Sequence, residues 1–375
     1  MKLCGGRILN GDFQTEKKDI TVKNGKITFE ADGSEALDIS ALTVIPGLID
    51  IHIHGFTGVN VNEATEDELQ KMSRELLKRG TTSFLATTTT HTREQLLYSL
   101  TNTKTVMEKG CEGAEILGMN MEGPYISREF KGAMREKDVR PFDPEEFEEF
   151  CGASGGNIRI MTLAPEIEEN FNIGIEALKE RNVVASVGHT GAKAERVERA
   201  IAKGMSHATH LFNAMRGIHH RDAGVVGAIF DSAATAELIC DGFHISEKVI
   251  RIAYRILGNE RLILISDAVT LAGMPDGEYV VDGMTTIIRD GTCTLQNGTI
   301  NGNVNPLFEC VRRCVKRFGI PFEDAVRCAT LNPAKRIGVD DRKGSIEEGK
   351  DADLLVIDEH FDLKYVIKNG RIVKL

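Results

Sequence analysis

Eight short apolar runs recur along the middle of the chain, at 44–51, 82–86, 115–121, 158–163, 183–187, 205–212, 236–240 and 262–266. Helical patterns separate most of them. Alternating β and α signals point to parallel strands joined by helical crossovers, and eight such strands favour a TIM (β/α)8 barrel over a doubly wound sheet. The 375 residues, 41% of them hydrophobic, suffice for a barrel with a small addition. The clearest helix start is Thr65, where Glu68 completes a capping box and Gly80 follows the end. At the chain ends the pattern changes. Asn24-Gly25 sits between strand-like stretches 19–22 and 26–29, and Asn369-Gly370 follows 353–357 and 365–367. Both dipeptides are hairpin-turn signals. The expected organisation is an α/β protein with a small β-sandwich domain from both ends (1–47 and 343–375) around a barrel at 48–342.

Metal-ligand residue types occur where the runs end. They are Asp50-Ile51-His52-Ile53-His54, Met121-Glu122-Gly123, Gly188-His189-Thr190, Thr209-His210-Leu211 and Ser266-Asp267-Ala268. Strand alternation puts His52 and His54 on one face. In a barrel, strand C-terminal ends converge on one rim, so these distant residues would surround one cavity. Imidazole and carboxylate groups together suit a divalent cation such as zinc or iron. The other histidines read differently. His91 suits a packing or hydrogen-bonding role, His207 points away from His210 on an extended strand, and His360 is a surface residue. His219-His220-Arg221 is a basic cluster, read either as a solvated turn or as a phosphate contact, since Arg offers a planar fork of donors.

The formal net charge of -10 argues against nucleic-acid and anionic-membrane partners. No signal peptide is visible, and no apolar run approaches the roughly 20 residues that span a bilayer, so a soluble, cytoplasmic protein is expected. The eight cysteines form no CxxC pair; buried thiols are expected, with Cys310 and Cys314 on one helix face.

Several longer motifs run in order through the chain: PGLIDIHIHG at 46–55, MEGPYIS at 121–127, VGHT at 187–190, THLFNAM at 209–215, HHRDAGVVG at 219–227, DGFH at 241–244, SDAV at 266–269 and DRKGSIEEGKDADLLVID at 341–358. In these the sequence resembles the N-acetylglucosamine-6-phosphate deacetylase branch of the amidohydrolase superfamily. The resemblance implies a TIM barrel with a small β domain, and hydrolysis of the acetamide of an amino-sugar phosphate. It implies Glu122, His189 and His210 as ligands of a principal Zn2+ or Fe2+. His52 and His54 permit a second ion, with Asp267 nearby and Glu122 bridging. Asp267 matches the catalytic acid/base. Asn213, Ala214, Arg221 and His244 match substrate positions, as do Ala133, Met134, Asp241, Ile300, Asn301 and Gly302. A homodimer sharing the phosphate site is also implied.

Two positions depart from the commonest pattern. Met134 stands where the family often has His or Gln, and a thioether cannot donate a hydrogen bond. Asn303 replaces a small hydroxyl residue. These leave N-acetylgalactosamine 6-phosphate as an alternative substrate, or a catalytically impaired binding homologue. A cyclic-amide hydrolase or deaminase is disfavoured, because no lysine ends the run 158–163 to be carboxylated between two metals.

Overall fold

The computed structural model describes residues 1–30, 33, 35–281, 284–298, 300 and 302–374. Eight strands form one all-parallel ladder: β1 (Leu48–Ile53), β2 (Thr81–Thr88), β3 (Glu115–Glu122), β4 (Ile158–Leu163), β5 (Val184–Val187), β6 (His207–Ala208), β7 (Thr235–Ile239) and β8 (Leu262–Ile265). Each strand pairs with the next in sequence. Hydrogen bonds just past the end of β8 shut the ring against β1. Asp267 N–H donates to His52 O at 3.0 Å, and His54 N–H donates to Ala268 O at 2.9 Å. This is the TIM barrel. A cluster that includes Leu85, Leu117, Ile160, Ile239 and Ile265, drawn from β2, β3, β4, β7 and β8, fills its interior.

Helices follow the strands and cover the outside. Glu66–Lys78 begins at the Thr65 cap, with the reciprocal Glu68 bond in place. It buries Leu69, Met72, Leu76 and Leu77, the stripe that a 3.6-residue period requires. Leu307–Lys316 buries both Cys310 and Cys314. Among the described residues no helix is long and apolar enough to cross a membrane.

The chain ends build two further sheets. One has the order Lys26–Thr28, Ile20–Lys23, Lys2–Cys4, Ala36–Asp38. The other has the order Arg371–Val373, Leu363–Lys368, Leu354–Ile357, Thr43–Pro46, Arg7–Leu9, Thr15–Lys17. Leu3, Ile8, Ile20, Val44, Leu354 and Ile367 form their shared core. Asn24 and Gly25 both adopt positive φ (53° and 75°), as a two-residue hairpin turn demands.

Three features differ from the sequence expectation. The run 44–51 is two strands, because the chain passes from the small domain to the barrel at Pro46-Gly47. Gly47 donates to Asp353 O at 2.8 Å, and a Cβ there would lie 2.3 Å from Thr82 Oγ1, so only glycine fits the crossing. The run 205–212 keeps strand geometry only at His207–Ala208. An antiparallel sheet of Gly277–Val281, Met284–Arg289 and Thr292–Leu295 follows β8, and no apolar run announced it.

A salt-bridge network joins barrel to small domain. Glu115, at the start of β3, meets Arg342 at 2.6 Å and Lys343 at 2.9 Å; Lys343 also contacts Asp351 at 3.1 Å and Asp353. Burial pushes the Glu115 carboxyl up, but the Arg342 hydrogen bonds and the charges of Lys343 and Lys368 outweigh it and hold the group at about 2. A depressed carboxyl contributes stability above its unfolded value of 4.5, which is lost as pH falls toward 2. Discounted for its one-third exposure, Glu115→Gln is expected to lower unfolding free energy by about 1–2 kcal/mol at pH 7. The difference shrinks as pH drops below 4.5. Urea unfolding at pH 7 and pH 3 checks this; an equal gap at both pH values counts against it.

Candidate active site

Five strand ends deliver the site. His52 lies on β1 and His54 is the residue just past its end. Glu122 is the last residue of β3. His189, His210 and Asp267 follow β5, β6 and β8 at sharp turns, with φ of 47°, 26° and 49°. Non-glycine residues rarely hold this conformation, which costs about 1–3 kcal/mol each and clusters at functional sites. Here it turns each side chain inward from the rim.

The imidazoles converge on Glu122, which is buried. His189 Nε2 and His210 Nε2 lie 2.9 and 2.5 Å from Oε1, and His54 Nε2 lies 3.0 Å from Oε2. The two carboxylate oxygens thus face different histidines. Asp267 Oδ1 is 3.3 Å from His54 Nε2 and 3.6 Å from His52 Nε2. Burial pushes the Glu122 and Asp267 carboxyls up, but the imidazoles around them outweigh it and hold both well below the usual carboxylate range. Conversely, burial disfavours a charged His54, yet Asp267 and Glu122 raise it to about 9.

The other ring nitrogens decide what these histidines can bind. His52 Nδ1 is 2.8 Å from Glu237 Oε2, His54 Nδ1 is 3.2 Å from Thr87 O, and His189 Nδ1 is 2.9 Å from Phe130 O. Those partners only accept, so each Nδ1 carries a proton, and Nε2 is the nitrogen that would give its lone pair to a cation taking the place of the proton that Glu122 and Asp267 otherwise favour there. Among the described residues, His210 Nδ1 is buried without a partner. His52 Nε2 and His54 Nε2 face each other at 3.2 Å. Two lone pairs at that distance repel unless a positive charge lies against them. The donor set therefore fits a divalent cation. Two overlapping groups have the spacing to hold one: His52, Glu122 and His210, and His52, His54 and Asp267.

Above this centre opens a cavity of about 710 Å³. Ala133, Met134, Asn213, Ala214, Ile300 and Gly302 line its walls, together with His244. Asp241 lies behind His244: its Oδ2 accepts from Nδ1 at 2.6 Å, which raises the imidazole pKa despite burial. Arg221 is exposed and does not line the cavity of its own chain. Asn301 lies outside the described residues. The Met134 sulfur accepts from Thr90 N–H at 3.4 Å. Asn303 is buried with its amide donating to Ser266 O at 2.6 Å, so it braces the strand end before Asp267 rather than facing the cavity.

Three further residues were not assigned to the site from sequence. His91 and Arg135 line the cavity and contact one another, with Arg135 also 2.9 Å from Asp138. Glu237 is fully buried on β7 behind His52. The available signal for Glu237 was an acidic residue inside the apolar run 236–240. His207, read as structural, is buried with Nε2 3.1 Å from Glu237 Oε1.

Known proteins resemble the whole chain. The profile of the amidohydrolase family matches residues 43–373. N-acetylglucosamine-6-phosphate deacetylase of Bacillus subtilis (strain 168) is 38% identical over 333 residues, covering 88% of this chain and 84% of that protein. The Lysinibacillus sphaericus protein of the same name is 35% identical over 371 residues, covering 97% and 95%. The crystal structure of N-acetylglucosamine-6-phosphate deacetylase from Pasteurella multocida superposes with a TM-score of 0.92 at 32% identity, covering 100% of this chain and 99% of that one.

Proposed function

The chain belongs to the amidohydrolase family, and on that premise we propose that it hydrolyses N-acetylglucosamine 6-phosphate to glucosamine 6-phosphate and acetate. One observation carries the reading: four imidazoles meet on Glu122 at the mouth of the barrel, with Asp267 alongside. Glu122, His189 and His210 would hold a principal Zn2+ or Fe2+. His52 and His54, with Asp267 and Glu122 beside them, would hold a second. A bound divalent cation supplies Lewis acidity, which acidifies water and polarises an amide carbonyl.

The protein's own groups do the rest. Asp267 is ionised at neutral pH and is placed to accept the proton of the attacking water. The protonated Asp267 then donates to the nitrogen as the C–N bond breaks, since an amide anion cannot leave. Asp241 fixes the His244 ring so that its other nitrogen is free for the sugar phosphate. Arg221, off the cavity of its own chain, would serve the phosphate from a partner subunit, which makes the working form a homodimer. The division at 47/48 and 342/343 then separates the catalytic barrel from its supporting β domain. The setting is the cytoplasm, as expected for sugar-phosphate metabolism.

Acetate release from metal-loaded protein tests the reading. N-acetylglucosamine 6-phosphate is expected to be the best substrate, and the sugar without phosphate to react at least about 100-fold more slowly, because phosphate binding energy drives positioning at the distant amide. The screen includes N-acetylgalactosamine 6-phosphate, since Met134 offers no donor to the sugar. No acetate from any N-acetylhexosamine 6-phosphate would end the proposal.

A further inference from the structure

We propose that Glu237 is a positioning residue, which selects the nitrogen of His52 that meets the cation and ties that histidine to the turn carrying His210. The inference rests on the metal reading above. Glu237 is fully buried on β7 and touches neither the cavity nor the reacting atoms. Its carboxylate takes three hydrogen bonds. Oε2 accepts from His52 Nδ1 at 2.8 Å and from the His210 backbone N–H at 3.2 Å, and Oε1 accepts from His207 Nε2 at 3.1 Å. The Glu237 carbonyl also accepts from Leu211 N–H at 2.9 Å. One residue thus holds the chain on both sides of the left-handed His210, beyond the neighbouring β6, and sets the ring of His52 on β1.

The chemistry follows from the direction of these bonds. An acceptor behind Nδ1 keeps a proton there, so Nε2 is the nitrogen left to give its lone pair to a cation among His54, Glu122 and Asp267. Without that acceptor the neutral ring is free to place its proton on Nε2, where it blocks cation binding. Leucine fills the same space with no acceptor. Glutamine behaves differently: its oxygen can replace Oε2 toward His52 and His210, while its NH2 meets His207. His207 can then shift its own proton to Nδ1 and donate to Thr235 Oγ1, 2.7 Å away. Glutamine is therefore the rescuing substitution.

The test uses zinc alone as the probe, on the full chain. In Glu237→Leu the ion held by His52 is expected to bind about 10- to 100-fold more weakly, so that dialysed protein loses one zinc per chain. Glu237→Gln is expected to stay within about threefold of wild type, well inside the usual cost of a lost outer-shell partner. His52→Ala is the reference. If it binds as much zinc as wild type, the metal reading of His52 fails. If His52→Ala loses an ion while Glu237→Leu binds as wild type, the positioning role alone fails. Should Glu237→Leu not fold, ¹⁵N imidazole spectra of zinc-loaded wild type decide. Protonated Nδ1 and zinc-bound Nε2 at His52 support the proposal, and zinc on Nδ1 overturns it.

Discussion

Asp267→Asn is expected to lower acetate release by about 10³-fold while leaving the ion on Glu122, His189 and His210 in place. The asparagine side chain has nearly the same shape, and the backbone bond from residue 267 to His52 O is untouched, so the ring stays shut. What the amide cannot do is take a proton from water or return one to a departing amine. Both transfers fall to this one group in the proposed reaction, so the loss should appear in kcat far more than in KM. Steady-state kinetics with zinc content measured on the same preparation is the check. Turnover within tenfold of wild type at full zinc occupancy would remove Asp267 from that role.

Glu122→Ala should be more damaging still, with turnover reduced on the order of 10⁴-fold or more, because the substitution strikes both candidate ion positions. Oε1 faces His189 and His210, and Oε2 faces His54. Removing the carboxylate leaves four buried imidazoles with Asp267 beside His52 and His54, and Glu237 behind His52, as the nearby carboxylates among the described residues. Zinc content should fall together with activity. Wild-type zinc content with turnover above about one-hundredth of normal would show that the cation is held elsewhere.

Much of this arrangement was legible in the chain itself, and the reason is geometric. A ligand at the end of an apolar run needs only strand polarity to place it on the barrel rim, so Glu122, His189, His210 and Asp267 could be assembled without knowing any distance. Other features depend on what distant segments do. The run 44–51 is apolar but for Asp50, and the approach of Thr82 to Gly47 marks where it divides between two sheets. The run 205–212 reads as one strand, yet Thr209 N–H is taken by Val187 O and the chain turns at His210. What Glu237 contacts could not be read from the run 236–240, because its three donors come from elsewhere: His207 and His210 some thirty residues back, and His52 on the first barrel strand. Arg135 reaches the cavity from the 130–140 loop, where it meets His91, which follows β2 on the rim. The motif resemblance added assignments such as Asn213, Ala214 and His244, which no periodicity could supply.

The junction of the first and last barrel strands has one more implication. The peptide groups that fasten it belong to His52, His54 and Asp267, with Ala268 beside them. A thermal fluctuation that parts these two strands therefore carries Asp267 away from two of its neighbouring imidazoles in the same movement. Mechanical integrity of the ring and the arrangement of the groups at its mouth rise and fall together.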